Sequence, residues 1–403
     1  MSPESRPRSV RVSPSFGVIN TLLRRMPVGA LVLRDADGRE RTYAGVTPGP
    51  SAEVIVRDAR AARRIVTKGG IGFAEGYMNN EWDTDDLYSV LKLGMTNLDR
   101  VDLGSVPTPL QPAQRAWHRM RDNTRRMARR NIAHHYDLGN DFYRLWLDPT
   151  MTYSSALFAS EHEPAGEDLT AAQRRKWDRM LDLLQPSRGD RLLEIGCGWG
   201  GFAIHAAREA GCHVTGVTLS EEQHDWATRR VAEEGLGGLV DIRLQDYRDV
   251  PETYSGIASI EMFEAVGERW WPVFFGRIRE LLARGGRAAI QTITIRDERF
   301  EGYRDNPDFI QRYIFPGGML PSPERFEEVA TDAGLHVVEP AFFGMSYART
   351  LESWLGRFEA ALPDIRALGF DERFVRMWRY YLAYCRIGFE SGNCDVMQVS
   401  VEP

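Results

Sequence analysis

The stretch RLLEIGCGWGGFAIHAAREAGCHVTGVTLS, residues 191–220, decides the fold of this chain. Leu192, Leu193 and Ile195 belong to a short, mainly apolar run, which is typical of a buried strand. A glycine-rich turn, a stretch with the apolar spacing of a helix and a second apolar strand follow. A strand, a helix and a strand in one unit predict two parallel neighbours in a sheet.

Three further apolar runs, VDIRLQD, IASIEM and GRAAIQTITI, follow at intervals that leave room for helices. Alternating strands and helices predict an α/β class, a doubly wound Rossmann-like fold with a parallel sheet. Ligands of such sheets bind at the carboxyl ends of the strands. We therefore expect the functional site at the glycine-rich turn.

The turn itself indicates which ligand is bound. Gly196 and Gly198 let the backbone turn sharply and approach a ligand where a Cβ would clash. The second strand ends in VTGVTLSEEQ, with Thr218, Ser220 and Gln223 instead of a clear acidic residue, which differs from the dinucleotide fingerprint. LEIGCGWGG after an apolar strand is the form found in S-adenosylmethionine (SAM) methyltransferases. An NAD site and a turn without a ligand are the alternatives.

Composition excludes several classes of protein. The chain has 403 residues, a net charge of −6 and 43% hydrophobic residues, which is enough for a core and is not typical of disorder. No apolar run reaches the roughly 18 residues of a membrane helix, and the N-terminus lacks the apolar core of a secretory signal. The four cysteines form no CxxC pair, which argues against a zinc ribbon or a disulfide scaffold. We expect a cytoplasmic protein.

The chain is predicted to divide into four parts. Residues 1–15 are interpreted as a tail, and residues 16–105 as a small α+β module with a hairpin from Leu31 to Ala44. The prolines of SVPTPLQP mark a boundary. Residues 106–130 are a proline-containing and then arginine-rich linker, and residues 131–403 are the catalytic domain.

The segment QRAWHRMRDNTRRMARRN carries seven arginines at spacings that suit a helix. A solvated linker helix is one interpretation. A surface that attracts phosphate, either of lipid headgroups or of nucleic acid, is the other. The composition of this segment does not decide between them.

Five motifs, in chain order, carry a resemblance to a known family: IAHHYDLGNDFYRLWLDPTMTYSSALF, LEIGCGWGGFAIHAA, VTGVTLSEEQ, SIEMFEAVGE and IQRYIFPGGMLPS. Together they resemble the cyclopropane-fatty-acyl-phospholipid synthase family, which includes the mycolic acid cyclopropane synthases. The resemblance implies transfer of the SAM methyl group to the cis double bond of an acyl chain. In the cyclopropane branch of the family a bound bicarbonate then removes a proton.

The resemblance also implies the residues that bind SAM. They are Tyr153, Ser154, Glu194, Gly196, Cys197, Gly198, Trp199, Gly200, Thr218, Leu219, Ser220, Gln223, Asp246 and Tyr247. No metal ligand is implied, and we interpret His134 and His135 as loop or core residues because no metal-ligand spacing accompanies them.

For catalysis the resemblance implies Glu264, which helps to hold the bicarbonate, Tyr347 and Cys385. Ser155 stands where the family has a cysteine, and Gln291 where it has a histidine. Both side chains can still donate hydrogen bonds, so bicarbonate remains a candidate bound base. Ala265 is a third departure, in place of a histidine. A changed fate of the reaction intermediate is the alternative.

The expected chemistry leaves two products open. Proton loss from the added methyl group closes a cyclopropane, our leading expectation, and loss from a neighbouring carbon gives a methyl- or methylene-branched chain. Aromatic side chains are expected to line an apolar tunnel and to face the cation: Tyr153, Phe158, Tyr313, Phe315 and Tyr347.

The expected partner is the unsaturated acyl chain of a phospholipid at the inner face of the membrane. Arginines of the linker, with Trp117, Trp146, Trp270 and Trp271, are candidates for peripheral docking. A homodimer, and a downstream reductase for a methylene-branched product, are further expectations. The rival classes are an RNA methyltransferase, which lacks a base-stacking module here, and a lipid-binding protein without catalysis. We expect no nucleic acid partner.

Overall fold

The computed structural model describes residues 14–35, 37–98, 138–160 and 167–403. The arginine-rich linker, Trp117 and the two neighbouring histidines 134 and 135 lie outside these ranges, and the predictions for them stay predictions. The first described helix begins at Pro14. Residues 14 and 15 therefore belong to a helix, and not to the tail predicted for residues 1–15.

The N-terminal unit consists of a four-stranded sheet with helices around it, and its strand order is β2-β1-β3-β4. Its elements are α1 (Pro14–Leu23), β1 (Val28–Asp35), β2 (Glu40–Ala44), β3 (Thr47–Val56), α2 (Arg60–Lys68), α3 (Gly70–Met78), β4 (Trp82–Asp83) and α4 (Leu87–Leu98). The predicted hairpin is confirmed, since β1 and β2 pair in antiparallel register from Ala30 opposite Ala44 to Arg34 opposite Glu40.

The second unit contains a seven-stranded sheet of order β10-β11-β9-β8-β5-β6-β7. Its strands are β5 (Arg191–Ile195), β6 (His213–Thr218), β7 (Val240–Leu244), β8 (Tyr254–Ile260), β9 (Leu282–Ile295), β10 (His336–Phe342) and β11 (Cys394–Glu402). The five strands predicted from the sequence, β5 to β9, are all parallel. Strand β11 is antiparallel to both of its neighbours and lies between β9 and β10.

Helices cover both faces of this sheet, as the doubly wound prediction requires. They are α5 (Asn140–Arg144), α6 (Leu169–Leu184), α7 (Gly201–Glu209), α8 (Glu221–Glu233), α9 (Trp271–Leu281), α10 (Asp297–Asp305), a π-helical turn (Ile310–Ile314), α11 (Pro323–Asp332), α12 (Gly344–Ala360), α13 (Leu362–Ala367) and α14 (Glu372–Glu390). Short 3₁₀ turns span Tyr247–Asp249, Phe263–Ala265 and Glu268–Trp270. Successive residues of β5 enter different cores, Leu192 with Phe202 of α7 and Leu193 with Phe274 of α9.

Helix α14 joins the two units. The guanidinium group of Arg376, which is buried, donates to the carbonyl oxygens of Tyr77 at 2.5 Å and of Trp82 at 3.1 Å, both in the N-terminal unit. These backbone carbonyls lie at the end of α3 and in β4. The N-terminal unit is thus held against α14.

Two tryptophans predicted to dock on a membrane are buried instead. The side chains of Trp146 and Trp271 have no exposed surface, because each packs within an aromatic cluster. Trp270 alone of the described candidates is partly exposed. Among the described residues, no helix combines the length and the apolar character that a membrane crossing requires.

Candidate active site

The glycine-rich turn between β5 and α7 forms a cradle. Gly196 has φ +83°, and a Cβ there would lie 2.7 Å from Cγ of Met262. The backbone N–H groups of Gly196 and Cys197 both donate to the carbonyl oxygen of Val217 at 3.0 Å, which fixes the turn beside the end of β6. The absence of a side chain at position 196 therefore leaves space beside the turn, and a Cβ there would fill it.

A cavity of about 760 Å³ begins at this turn and extends to the N-terminal unit. Twelve of the fourteen residues predicted to bind SAM line it: Tyr153, Ser154, Glu194, Gly196, Cys197, Gly198, Trp199, Thr218, Leu219, Gln223, Asp246 and Tyr247. Gly200 and Ser220 do not. They are the N-cap residues of α7 and α8, where Gly200 has φ +81° and Ser220 Oγ accepts from the backbone N–H of Gln223.

Polar groups at the strand ends are arranged by their neighbours. Thr218 Oγ1 donates to Oε1 of Gln223 at 2.8 Å. The Asp246 carboxylate accepts from the Arg248 guanidinium at 2.6 and 2.9 Å, which raises the pKa of Arg248. A carboxylate held in this way is ready to accept from a ligand at the cavity wall.

Glu194, the last polar residue of β5, has one unsatisfied oxygen. Its Oε2 is buried and has no hydrogen-bond partner among the described residues. Burial raises the pKa of Glu194 well above its usual value, although a hydrogen bond from the backbone of Ala203 opposes the increase. The glycine cradle and this orphaned oxygen on the cavity wall together fit a polar, nucleoside-like ligand such as SAM.

Glu264 lies on the 3₁₀ turn after β8 and lines the cavity. Its Oε1 accepts from the hydroxyl of Thr292 at 3.0 Å and from the backbone N–H of Ile293. Its Oε2 has no partner among the described residues. Burial, and then the nearby Glu261 carboxylate, raise the pKa of Glu264 to about 8. Ala265, next to it, also lines the cavity.

The residues implied to hold bicarbonate surround a carboxylate of the chain itself. The backbone N–H of Ser155 and Nε2 of Gln291 each donate to Oε1 of Glu261 at 2.7 Å. The Tyr347 hydroxyl also hydrogen-bonds Glu261. Ser155 and Gln291 are fully buried and do not line the cavity, whereas Glu261 and Tyr347 do. The backbone N–H of Ser155, the side-chain amide of Gln291 and the Tyr347 hydroxyl form a cage around the Glu261 carboxyl group.

A lysine lies beneath the cage. Lys176 of α6 is fully buried, and its Nζ donates to Ser154 Oγ at 2.7 Å. Burial lowers the pKa of Lys176 to about 7, although nearby carboxylates, Glu261 first among them, oppose this change. Sequence reasoning missed both Lys176 and Glu261. The available signals were that the chain has only three lysines and that EMFE places two glutamates three residues apart.

The aromatic wall differs in part from the prediction. Tyr153, Phe315 and Tyr347 line the cavity, and the hydroxyls of Tyr153 and Tyr381 are 2.7 Å apart. Phe158 and Tyr313 do not line it. The Phe158 ring packs under the Arg349 guanidinium, with 4.1 Å between that group and the ring centroid, and Tyr313 hydrogen-bonds the N-terminal unit.

Cys385 also lines the cavity, as do Phe389 and, from the N-terminal unit, Met95 and Leu98. Burial raises the pKa of the Cys385 thiol well above its usual value. The thiol form therefore persists, and the residue contributes apolar surface more readily than a nucleophile. Within the described ranges, no three His, Cys, Asp or Glu side chains are grouped as a metal site requires.

The family model described as mycolic acid cyclopropane synthetase matches residues 123–399. The chain belongs to this family. It is 42% identical to the tuberculostearic acid methyltransferase UfaA1 of Mycobacterium tuberculosis, over 97% of this chain and 92% of that protein. It is 34% identical to the cyclopropane-fatty-acyl-phospholipid synthase of Escherichia coli K12, over 89% and 90%.

Among solved structures, the mycolic acid cyclopropane synthase CmaA1, complexed with SAH and CTAB, matches with a TM-score of 0.63 and 31% identity. That match covers 68% of this chain and 98% of CmaA1. Membership in the family makes this protein a SAM-dependent methyltransferase of lipid chains. The glycine cradle, the end of β6 and the orphaned Glu194 oxygen are the parts of this chain that fit SAM.

Proposed function

We propose that this enzyme methylates cis-unsaturated acyl chains of phospholipids and forms a methylene-branched product. The phospholipid substrate is supported by the extent of the matches. UfaA1 and the phospholipid synthase match 97% and 89% of the chain, whereas the mycolic acid synthase matches 68%. The N-terminal unit, which contributes Met95 and Leu98 to the cavity, thus accompanies relatives named for fatty acids and phospholipids.

The shape of the cavity supports an acyl chain as the acceptor. One cavity is lined by the glycine cradle, by Glu264 and by apolar side chains that include Met95, Leu98 and Phe389. An alkene is a poor nucleophile, so it must be held against the methyl donor in a site without water. A cavity that offers polar groups to the cofactor and apolar side chains to the acyl chain meets both needs.

SAM supplies an electrophilic methyl group. The methyl group would pass from the SAM sulfur to one alkene carbon: the S–CH₃ bond breaks as the C–C bond forms, the demethylated thioether leaves, and positive charge remains on the other alkene carbon. The carboxyl groups of Glu264 and Glu261 stabilise that charge, with the faces of the Tyr153 and Phe315 rings. Loss of a proton from the new methyl group then closes a ring. After a hydride shift toward the charged carbon, loss of the same kind of proton gives an exocyclic methylene group instead.

The hydrogen bonds of the cage to Glu261 support a methylene-branched product over a cyclopropane. The Glu261 oxygen that accepts hydrogen bonds from Ser155 and Gln291 is a weaker base than the same buried carboxylate would be without them, because each donor lowers its affinity for a proton. Slower proton removal leaves time for the hydride shift. The name of UfaA1, a methyltransferase for tuberculostearic acid, supports the same choice. Our sequence-based expectation of a cyclopropane stays a prediction that the same experiment tests.

The test is incubation of the protein with SAM and vesicles of dioleoylphosphatidylglycerol, followed by mass spectrometry and NMR of the released acyl chains. A gain of one CH₂ unit with olefinic methylene protons supports the proposal. Ring protons at high field would establish the cyclopropane product. Unchanged chains in a sample whose SAM binding is verified by calorimetry would refute the acyl substrate. Parallel samples with free oleate decide whether the phospholipid is required.

A further inference from the structure

The cage has an unusual occupant. Its donors, the backbone N–H of Ser155, Nε2 of Gln291 and the Tyr347 hydroxyl, all converge on the carboxyl group of Glu261. Glu261 follows β8 directly and lines the cavity, as Glu264 does. Three donors converging on one side chain match the coordination that a free anion would otherwise receive here.

The backbone of Glu261 adopts a strained conformation. Glu261 has φ +49°, in the left-handed region that glycine adopts freely and that costs other residues about 1 kcal/mol or more. Its own N–H donates to the carbonyl oxygen of Gln291 at 2.8 Å, which fixes the turn. Position 261 thus has a glutamate although its backbone conformation favours glycine, and the glutamate carboxyl group accepts the hydrogen bonds of the cage.

The negative charge of Glu261 is balanced by a buried lysine, Lys176. Burial raises the pKa of Glu261, while the charge of Lys176 and the three hydrogen bonds of the cage oppose the increase. Lys176 is fully buried, and Ser154 Oγ holds its Nζ below the cage. A buried carboxylate needs such a counter-charge, because an isolated ion in the interior is costly.

We propose that the Glu261 carboxylate is the built-in base of this enzyme and replaces a free bicarbonate ion; this inference rests on the proposed function. In the final step a C–H bond of the added methyl group breaks, and its electron pair forms the second bond of the exocyclic C=C (or, for the cyclopropane product, the bond that closes the ring). The proton passes to a Glu261 oxygen. It leaves for solvent after product release, and no further reactant is consumed. The reaction therefore needs no bicarbonate.

The test compares the wild type with Glu261→Gln and Glu261→Gly in buffer freed of carbon dioxide, with and without added bicarbonate. Glu339→Gly is the matched control, since exposed Glu339 also has a positive φ of 55°. We expect the wild type and E339G to be active without bicarbonate. E261Q should lose about 100-fold or more in kcat, the lower end of a general-base contribution, with or without the ion. E261G should lose as much but regain activity when bicarbonate is added.

Bicarbonate dependence of the wild type, or near-normal activity of E261Q, would overturn the inference. Binding of ¹³C-bicarbonate, followed by NMR line broadening, gives a readout that does not require turnover. We expect binding to E261G and none to the wild type, and binding to the wild type would refute the inference even if no acyl product formed. Unchanged acyl chains with this expected binding pattern would instead contradict only the proposed function. Melting temperatures of all variants verify that they fold.

Discussion

The hydroxyl group of Tyr313 donates a 2.8 Å hydrogen bond to Oε1 of Glu75. Tyr313 belongs to the π-helical turn whose neighbours Ile310 and Phe315 line the cavity, and Glu75 lies on α3 of the N-terminal unit. Burial would raise the pKa of Glu75, but Lys68 and the Tyr313 hydroxyl hold it below its usual value. The wall of the cavity is therefore joined to the N-terminal unit through a buried, charged hydrogen bond.

Removing this hydroxyl should destabilise the protein. We expect Tyr313→Phe to lower the free energy of unfolding by about 1.5–3 kcal/mol, the range for a hydrogen bond to a charged group. Urea denaturation measures this change. Tyr43→Phe is the control within the N-terminal unit, where the Tyr43 hydroxyl donates to uncharged Asn20 at 2.8 Å, so its loss should be smaller. Equal losses in the two variants would contradict the special role of the charged bond.

Replacing Glu264 should change the pH dependence of both activity and stability. The pKa of Glu264 is about 8 in the folded protein, so its negative charge, and with it kcat/KM, should rise as the pH increases through this value. Glu264→Gln should lower activity and abolish that inflection. A steady-state profile from pH 6 to 9.5, a range chosen to bracket this pKa, is the measurement. The same inflection in E264Q would assign it to another group.

The sign of the stability effect follows from linkage. The folded-state pKa of Glu264 exceeds its usual value of 4.5, so the folded state binds the proton more tightly. The stability that this proton confers is complete below about pH 4.5 and is lost as the pH rises to about 8. The unfolding free energy of the wild type, relative to E264Q, should fall across this range. A constant difference would show that Glu264 is ionised in the folded protein.

Lys176→Met should impair turnover through Glu261. Without the ammonium group the buried Glu261 carboxylate loses its counter-charge, so its pKa should rise and activity should fall at neutral pH. We expect a partial recovery of kcat at higher pH and little change in SAM affinity, which calorimetry measures. Lys92→Met on α4 is the control, because Lys92 is nearly half-exposed and pairs with Glu390 and not with Glu261. An unaltered pH profile in K176M would refute the charge coupling.

Gly196→Ala should block the cofactor cradle. An added Cβ would lie 2.7 Å from Met262 Cγ, in a backbone with φ +83°. We expect SAM affinity to fall at least about tenfold, equivalent to roughly 1.4 kcal/mol. Gly238→Ala, where a Cβ meets nothing within 4 Å and φ is not positive, should leave it unchanged. Titration calorimetry with SAM compares the two, and equal affinities would remove Gly196 from the site.

Much of the fold follows from local patterns. The strands β5 to β9 have continuous apolar runs, and the turn after β5 contains its own glycines, so the parallel sheet and the site at its carboxyl edge were predictable. Strands β10 and β11 were not assigned from the sequence. Their place in the sheet depends on the pairing of Met397 with Thr292 and of Val401 with Val337, over long sequence separations that no local pattern encodes.

The sequence identified site residues that belong to a recognisable motif, but it did not reveal which side chains they contact. Ser155 and Gln291 were identified, but the group that they contact was not, because the turn at Glu261 depends on a positive φ that glutamate rarely adopts. Burial of Lys176 likewise results from the packing of α6 against the sheet. The interfacial role expected for Trp146 and Trp271 was wrong, because an amphipathic residue type does not reveal which neighbours enclose it.

The left-handed backbone at Glu261 also bears on how such an active site changes in evolution. Glycine would adopt φ +49° without strain and would leave the space inside the donors of Ser155 and Gln291 empty. Two of the four glycine codons, GGA and GGG, differ from the glutamate codons GAA and GAG by a single base. A single point mutation can therefore separate an enzyme that has glycine here and binds bicarbonate from one that has glutamate and supplies its own carboxylate. The same donors would surround the anion in both.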